Sequence, residues 1–331
     1  MQTDMNEKIY DVTALGELLI DFTENGTSAQ GNPLFEANPG GAPCNVLAML
    51  TKLGHKTAFI GKVGDDFFGK QLREAITEVG IDSTGLLSDP EIHTTLAMVH
   101  TYPDGDRDFS FYRNPGADMM LKEDEIPTEL IKNSKIFHFG TLSMTHDGVR
   151  AATKKAISIA EEANALISFD PNLRPPLWKS LDDAKEQVLY GLSHCHILKI
   201  SDNEIQWLTG KEDYTDGVNW IRERYNIPLI LVSMGKEGSR AYYNGMMVED
   251  KIVEIKPFLQ KNTIETTGAG DTFCGCVLHY ICEHGLDNLT EADLTSMLTF
   301  ANAAAARITT RKGALRVMPD RAEIEKEIVS R

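Results

Sequence analysis

A carboxylate follows a run of small residues in the stretch Thr266-Thr267-Gly268-Ala269-Gly270-Asp271. Apolar and small residues continue to His284, so the pattern predicts a loop that enters a helix. Small residues let backbone amides at a helix N-terminus approach an anion closely, where the helix dipole also favours negative charge. Asp271 could then accept the proton of an attacking hydroxyl while the amides stabilise a transferring phosphoryl group. A plain helix N-cap is the alternative interpretation of Asp271.

A second glycine turn, Pro-Gly-Gly-Ala-Pro-Cys-Asn at residues 39–45, also precedes a predicted helix. Two consecutive glycines can form no more than a tight turn. Together with Asp21, however, Gly40, Gly41 and Asn45 offer a carboxylate, an amide side chain and a closely approaching backbone. These groups recognise hydroxyls, so the sequence points to a sugar as ligand.

The composition argues against several classes of partner. The 331 residues carry a formal net charge of −16, which repels phosphate backbones and anionic lipid surfaces, so we expect neither nucleic acid nor a membrane as partner. Residues 1–8 lack the apolar core of a signal peptide, and no later run is long and apolar enough to span a bilayer. The five cysteines show no CxxC spacing, which favours free thiols. We therefore expect a cytoplasmic protein.

Short apolar runs alternate with helical patterns along the chain. The sequence predicts a strand at Val12–Ile20 that ends in Asp21, a helix at Ala42–Leu53, a strand at Thr57–Ile60 and a helix at Phe67–Val79. Further strands are predicted at Ile136–Phe139, Leu166–Phe169, Ile197–Ile200 and Leu229–Val232. This order favours an α/β fold with a doubly wound, mostly parallel sheet sandwiched by helices.

Two segments, 22–38 and 93–118, break that alternation. They contain the turn formers Asn25-Gly26, Asn32-Pro33 and Asp104-Gly105 with β-type residues between them. We expect them to form a small antiparallel β-sheet that covers a cleft as a lid inserted in a single domain, residues 1–331. Because exposed sheet edges invite pairing, the lid strands could also form a homodimer.

The motifs together resemble the ribokinase-like (PfkB) carbohydrate kinases. The resemblance rests on Gly16-Glu17-Leu18-Leu19-Ile20-Asp21 and on the turns at 40–45 and 266–271, in that order. Residues 111–118 (Phe-Tyr-Arg-Asn-Pro-Gly-Ala-Asp) and 169–178 (Phe-Asp-Pro-Asn-Leu-Arg-Pro-Pro-Leu-Trp) are similar to stretches typical of the fructokinase subgroup. The resemblance covers nearly the whole chain. It implies the ribokinase-like fold and the ATP-dependent phosphorylation of a sugar hydroxyl, with D-fructose yielding fructose 6-phosphate.

The resemblance also implies roles for individual residues. Asp21, Gly40, Gly41, Asn45 and Arg113 would bind the sugar. Asp271 would be the general base, with residues 268–270 as the anion hole and Arg174 as a cationic clamp. The nucleotide would lie on Ser233, Gly235, Gly238, Gly268, Gly270 and Asn302.

Two cation sites follow from the same resemblance. Glu204 would organise Mg²⁺ through water, although Ser201 stands where the family pattern often has Asn. Many family members bind a monovalent cation through an Asp where this chain has Glu265. The remaining ligands of this K⁺ site would come from Thr267, Ile308, Arg311 and Gly313. Because glutamate is one methylene longer than aspartate, Glu265 could either ligate the ion or reach past it.

Two other functions stay open from the sequence. A kinase for 2-keto-3-deoxygluconate would keep Asp271 and the glycine turns and would need a further cation for the substrate carboxylate, which Arg113 could supply. A non-catalytic sensor of sugar or nucleotide is disfavoured by the intact Asp271 turn.

Two further patterns have structural explanations. Residues 64–71 have the glycine and lysine spacing of a P-loop, but they lack its Ser or Thr and carry Asp65 and Asp66, so we expect a turn and a helix start. A second group consists of Cys274, Cys276, His279, Cys282 and His284. Its spacing matches no standard zinc pattern, so we expect packing residues there.

Overall fold

The computed structural model describes residues 8–101, 107–245 and 251–330. These residues form thirteen strands and ten α-helices. The strands are β1 (Tyr10–Leu15), β2 (Leu19–Thr27), β3 (Pro33–Gly40), β4 (Thr57–Gly64), β5 (Asp82–Asp89), β6 (Leu96–Thr101), β7 (Arg107–Tyr112), β8 (Ser134–Gly140), β9 (Leu166–Asp170), β10 (Ile197–Ser201), β11 (Leu229–Ser233), β12 (Ser239–Tyr243) and β13 (Lys251–Ile255). The helices are α1 (Ala42–Lys52), α2 (Phe67–Glu78), α3 (Thr128–Lys132), α4 (Asp147–Glu162), α5 (Leu181–His194), α6 (Asp202–Thr209), α7 (Tyr214–Arg222), α8 (Ala269–His284), α9 (Glu291–Ile308) and α10 (Arg321–Val329).

Nine strands form the main sheet in the order β13-β12-β11-β10-β9-β8-β1-β4-β5. The strands from β11 to β5 pair in parallel, whereas β12 and β13 extend the sheet as an antiparallel edge. Helices α1, α2, α8, α9 and α10 contribute buried residues to one hydrophobic cluster, and helices α3 to α7 contribute to a second. The predicted doubly wound α/β fold is therefore confirmed.

The remaining four strands form a separate small sheet in the order β3-β2-β6-β7. Strands β2 and β3 form one antiparallel hairpin, β6 and β7 form the other, and β2 joins β6 in parallel. The prediction that segments 22–38 and 93–118 form a small sheet is confirmed, with strands that start earlier, at Leu19, and end at Tyr112. The expectation of a purely antiparallel sheet is wrong, because the two strand pairs are joined by the parallel pairing of β2 with β6. The predicted turn at Asp104-Gly105 lies outside the described residues.

The prediction of one strand at Val12–Ile20 is wrong. The chain leaves β1 of the main sheet at Leu15 and begins β2 of the small sheet at Leu19. Asp21 therefore lies inside β2, opposite Asn38 of β3, and does not end the first strand. The apolar pattern gives no sign of the boundary between the two strands, because Leu15, Leu18 and Ile20 on either side of it are all buried.

The other predicted elements have close counterparts. Helix α1 ends at Lys52, shortly before Gly54, and α2 ends at Glu78, shortly before Gly80. The P-loop-like residues 64–71 form the expected turn and helix start, since the Asp66 side chain caps α2 by accepting a hydrogen bond from the Gly69 amide at 2.8 Å. The predicted strands near residues 136, 166, 197 and 229 are β8, β9, β10 and β11.

Candidate active site

A cleft of about 270 Å³ lies where the carboxyl ends of the central strands, the small sheet and the first turn of α8 meet. Crevices at the carboxyl ends of parallel strands are the usual ligand sites of doubly wound folds. Eight of the predicted site residues line this cleft: Asp21, Gly41, Asn45, Arg174, Thr267, Gly268, Gly270 and Asp271.

Asp271 is the third residue of α8, and the helix N-cap is Gly268. The plain N-cap interpretation of Asp271 is therefore wrong. Its carboxylate oxygen Oδ2 instead accepts a hydrogen bond from Asn45 Nδ2 at 2.8 Å. Desolvation raises the pKa of Asp271 above its ordinary value, although the Asn45 hydrogen bond and the charges of Lys199 and Arg174 oppose this shift. The carboxylate is held in place at the first turn of the helix, with its basicity increased.

Neighbouring atoms leave little room for side chains at the two glycines before Asp271. Gly268 has a φ of 74°, and a Cβ added to it would lie 2.6 Å from the Ala314 Cβ. A Cβ on Gly270 would lie 3.2 Å from Lys199 Nζ. The first amides of an α-helix have no partner within the helix. The predicted anion hole of residues 268–270 is reduced by one member, because the Ala269 amide donates to the Thr266 carbonyl at 3.2 Å. Gly268, Gly270 and the positive Lys199 line the same cleft, which favours an anion.

The second glycine turn brings α1 to the cleft. A Cβ on Gly40 would lie 2.6 Å from Asp21 Oδ2, and one on Gly41, whose φ is 131°, would lie 2.3 Å from the Glu17 carbonyl oxygen. Gly40 therefore permits a close approach to Asp21 of β2, and Gly41 permits one to the backbone just before β2. Asn45 has its Oδ1 buried without a hydrogen-bond partner among the described residues. A buried acceptor of this kind suits a ligand hydroxyl.

Three charged residues of the cleft region have no role predicted from the sequence. Glu17 is buried and accepts a hydrogen bond from the Ala42 amide at 2.8 Å, and burial raises its pKa to about 7. Lys199 of β10 pairs with Asp170 of β9, with 3.0 Å between Nζ and Oδ2. Although burial disfavours the ammonium, the carboxylates of Asp170 and Glu204 raise the pKa of Lys199, which keeps it charged. The sequence feature that could have identified Lys199 is its position as a charged residue inside the apolar run 197–200.

Arg113 is not among the residues that line the cleft. Its guanidinium is buried and pairs with Asp118, with 2.7 Å between NH2 and Oδ2. It also donates to Thr145 Oγ1 at 2.8 Å and to the Leu142 carbonyl at 2.9 Å. The structure therefore does not bring Arg113 together with the other predicted sugar-binding residues.

A second cleft of about 470 Å³ shares Arg174 and Lys199 with the first. It is also lined by Glu204, whose Oε2 accepts hydrogen bonds from the Ser201 amide and hydroxyl, both at 2.8 Å. The Oε1 of Glu204 accepts from the Leu173 amide at 2.7 Å. Because a carboxylate offers about four lone-pair positions, one of them remains for a water molecule.

Of the predicted nucleotide-binding residues, Gly268 and Gly270 line the first cleft, whereas the other four lie outside the lining of both clefts. Ser233 ends β11 and pairs with Ser201 of β10. Gly235 and Gly238 flank the following turn with φ values of 51° and 103°. Asn302 of α9 is buried and donates to the Ile255 carbonyl at 3.1 Å.

The structure brings the predicted K⁺ residues close to Gly268. Glu265 Oε1 accepts a hydrogen bond from the Gly313 amide at 2.6 Å, and the Ile264 and Glu265 amides donate to the Thr309 carbonyl. Two other residues of the predicted K⁺ site already have hydrogen-bond or ion-pair partners within the chain. The Ile308 carbonyl accepts from the Arg311 amide at 3.0 Å, and the Arg311 guanidinium pairs with Glu323. The Glu265 side chain therefore contacts the loop 308–313. This is the position expected of a carboxylate that binds a cation together with that loop.

The model of the pfkB family carbohydrate kinases matches residues 10–321. A relative described as probable fructokinase-4 of Arabidopsis thaliana is 39% identical over 316 residues, which cover 95% of each chain. The fructokinase from Xylella fastidiosa with bound ATP superposes with a TM-score of 0.85 at 28% identity, covering 97% of this chain and 98% of that one.

A double mutant of the fructokinase from Vibrio cholerae O395, in a form with bound fructose, ADP and potassium ion, has a TM-score of 0.84 at 29% identity. The alignment covers 97% of this chain and 99% of that one. The chain belongs to the pfkB family of carbohydrate kinases, and the resemblance to fructokinases is confirmed. Within the described residues, no helix is both long and apolar enough to cross a membrane.

Proposed function

We propose that this protein transfers the γ-phosphoryl group of ATP to the primary hydroxyl of D-fructose and releases fructose 6-phosphate and ADP. The observation that carries the proposal is the hydrogen bond between Asn45 and Asp271, because it fixes a carboxylate of raised pKa at the first turn of α8, inside the cleft. The fructokinases similar to this chain support fructose as the sugar.

The sugar would lie on the α1 side of the cleft. Asp21, the unpartnered Oδ1 of Asn45 and the backbone at Gly41 supply its hydrogen-bond partners. In this arrangement the reacting hydroxyl would lie beside Asp271. Fructose fits these groups because each can pair with a hydroxyl and none of them requires a charged ligand.

In the chemical step, Asp271 accepts the proton of the attacking hydroxyl. A bond forms between the hydroxyl oxygen and the γ-phosphorus, and the bond from that phosphorus to the bridging β,γ-oxygen breaks, so that ADP leaves. The amides of Gly268 and Gly270, the Lys199 ammonium and the Arg174 guanidinium stabilise the negative charge on the transferring group. Arg174 NH1 lies 3.2 Å from the Leu173 carbonyl, which keeps this side chain at the junction of the two clefts.

Two cations complete the proposal. The lone-pair position left on Glu204 suits a water molecule of hydrated Mg²⁺, and a Mg²⁺ ion held there would supply positive charge to the nucleotide phosphates. The Glu265 carboxylate and the carbonyls near Thr267 and of the loop 308–313 suit K⁺, as the potassium-bound Vibrio cholerae fructokinase supports. A bound K⁺ would hold this loop against Gly268.

The small sheet would act as the lid of a single kinase domain. Its strand β2 carries Asp21, and Phe111 of β7 also lines the cleft, so the sheet can exclude water from the transferring phosphoryl group. Leu34, Phe35 and Tyr112 are exposed apolar side chains of the same sheet, with relative exposures of 47%, 42% and 65%. They support a homodimer formed through the lid, in the cytoplasm where ATP is available.

The test is a coupled ADP-release assay with ATP and Mg²⁺ and three substrates: D-fructose, D-ribose and 2-keto-3-deoxygluconate. We expect the highest kcat/KM with fructose, and phosphorus NMR should show the product phosphorylated at its primary 6-hydroxyl. The Asp271→Asn variant, prepared identically, controls for contaminating kinases. A preference for ribose or 2-keto-3-deoxygluconate would refute the substrate, and sugar binding without ADP release would indicate a sensor.

A further inference from the structure

Two histidines and a glutamate meet about two turns along α8 from Asp271. His55 follows α1, and His279 and Glu283 lie on α8 at positions i and i+4. One ligand atom from each of the three lies within 4.8 Å of the others. The geometry points to a binding site for a transition-metal ion of the Zn²⁺ type, formed by His55, His279 and Glu283 and separate from the cation sites of phosphoryl transfer.

The ligand types and spacing suit zinc. Imidazole nitrogens and a carboxylate are common zinc ligands, with bonds of about 2.0–2.2 Å, so neighbouring ligand atoms in a tetrahedral site lie about 3.3 Å apart. In the structure, His55 Nε2 lies 2.6 Å from His279 Nδ1, whereas Glu283 Oε2 lies 3.5 Å from the other ring nitrogen of His279, Nε2. Only one of these two nitrogens can bind the ion. With one ligand atom from each residue the separations stay within 4.8 Å, and rotation of the His279 and Glu283 side chains would have to close the remaining gap. Residues at i and i+4 share a helix face, which keeps His279 and Glu283 on the same side.

A carboxylate orients one of the histidines. Asp11 Oδ2 lies 3.2 Å from His55 Nδ1, and the same carboxylate is held by Lys135 Nζ and the Lys56 amide. Nδ1 of His55 therefore carries the hydrogen, and the lone pair of Nε2 points towards His279. Histidine ligands of metals are commonly oriented by a carboxylate in this way.

The site is accessible from solvent. Glu283 has 45% of its side chain exposed, whereas His279 has 5%, so an ion can enter from the Glu283 side and keep a water molecule as its fourth ligand.

Arg321 of α10 competes with a metal ion for these ligands. Its NH2 lies 2.9 Å from His279 Nε2 and 3.6 Å from Glu283 Oε1. Because the Arg321 side chain is 48% exposed, it can move into solvent when an ion takes its place. Removing this guanidinium should therefore strengthen metal binding, an effect opposite to that of removing any ligand.

The test measures Zn²⁺ binding to the chelator-treated full-length protein by competition with a chromophoric chelator. We expect one equivalent of Zn²⁺ to bind, with affinity reduced at least tenfold in His55→Gln, His279→Gln and Glu283→Gln and increased in Arg321→Ala. His194→Gln, which alters a separate histidine–glutamate pair, and Cys282→Ser, which removes a neighbouring thiol, should leave the affinity unchanged. Binding that is absent below millimolar Zn²⁺, or equal in all variants, or lost in Cys282→Ser, would overturn the proposal.

Two measurements keep the test decisive if a ligand variant folds poorly. Co²⁺ added to the unmodified protein should give the visible bands of a tetrahedral nitrogen and oxygen site. A thiolate charge-transfer band would overturn the proposal. Asp11→Asn, which leaves all three ligands in place, should weaken Zn²⁺ binding about 10- to 100-fold, as carboxylates behind metal-bound histidines do. An unchanged affinity in this variant would contradict the orienting role of Asp11.

Discussion

Replacing Asp271 with Asn tests the proposed general base with little change of shape. The carboxylate oxygen Oδ2 accepts a hydrogen bond from Asn45 Nδ2 at 2.8 Å. An amide in the same place can turn its oxygen towards Asn45 and keep that contact. The variant should therefore fold normally and retain the amides of residues 268–270, while it lacks the group that accepts the proton.

The expected loss follows from the single step that Asp271 carries. A positioned general base contributes about 10²–10⁴-fold to the rate, or about 3–5 kcal/mol of transition-state stabilisation. We expect Asp271→Asn to lower kcat by that factor in the ADP-release assay. Isothermal titration calorimetry should show ATP and fructose binding within about threefold of the unmodified protein, because the groups that hold them remain.

Asp65→Asn is the matched control, because Asp65 is an exposed carboxylate of the P-loop-like turn at 64–71. It should retain the kcat of the unmodified protein. If Asp271→Asn kept more than about a tenth of kcat, the general-base assignment would be refuted. If Asp65→Asn lost activity to a similar extent, the phosphate site would have to be sought at that turn.

Three further predictions concern charge around the cleft. Since desolvation raises the pKa of Asp271 and the base must be ionised, kcat/KM should fall as the pH falls through a pKa above the ordinary range of aspartate, and a profile flat to pH 4 would contradict this. Lys199→Met leaves the buried Asp170 carboxylate unpaired and should lower the free energy of unfolding by about 3–5 kcal/mol in urea titrations; a loss below about 1 kcal/mol would show that the pair is not ionised. K⁺ should stimulate activity at constant ionic strength, more so in Glu265→Asp, whereas identical rates in K⁺, Na⁺ and a large organic cation would exclude a cation role for Glu265.

The sequence predicted those elements whose patterns are local. Helices α1 and α2 have apolar residues at helical spacing and glycines shortly after their ends, and the central strands are short apolar runs. The prediction of one strand at Val12–Ile20 was wrong because buried apolar residues continue from the end of β1 into β2. The hydrophobic pattern of a segment indicates that the segment is buried, but it does not indicate which of two sheets the segment joins.

The same limit applies to charged residues of the site. Arg113 has the type of side chain that binds a sugar or a carboxylate, but its partner is Asp118, five residues further along the chain. Lys199 lies within an apolar run, and its partner Asp170 becomes visible only when β9 and β10 are placed side by side. Pairings of this kind depend on strand order, which no local pattern encodes.

The net charge of −16 is compatible with an anionic substrate because the field in the cleft has local sources. The N-termini of α1 and α8 both reach this cleft, and Asn45 and Asp271 join their first turns although 226 residues separate them. The side chains of Lys199 and Arg174 add positive charge within the same walls. At physiological salt, exposed carboxylates further away than the Debye length of about 8 Å are largely screened. Binding of ATP should therefore depend on these two side chains far more than on surface charge, so Arg174→Gln should weaken ATP binding by a larger factor than removal of any single exposed carboxylate strengthens it.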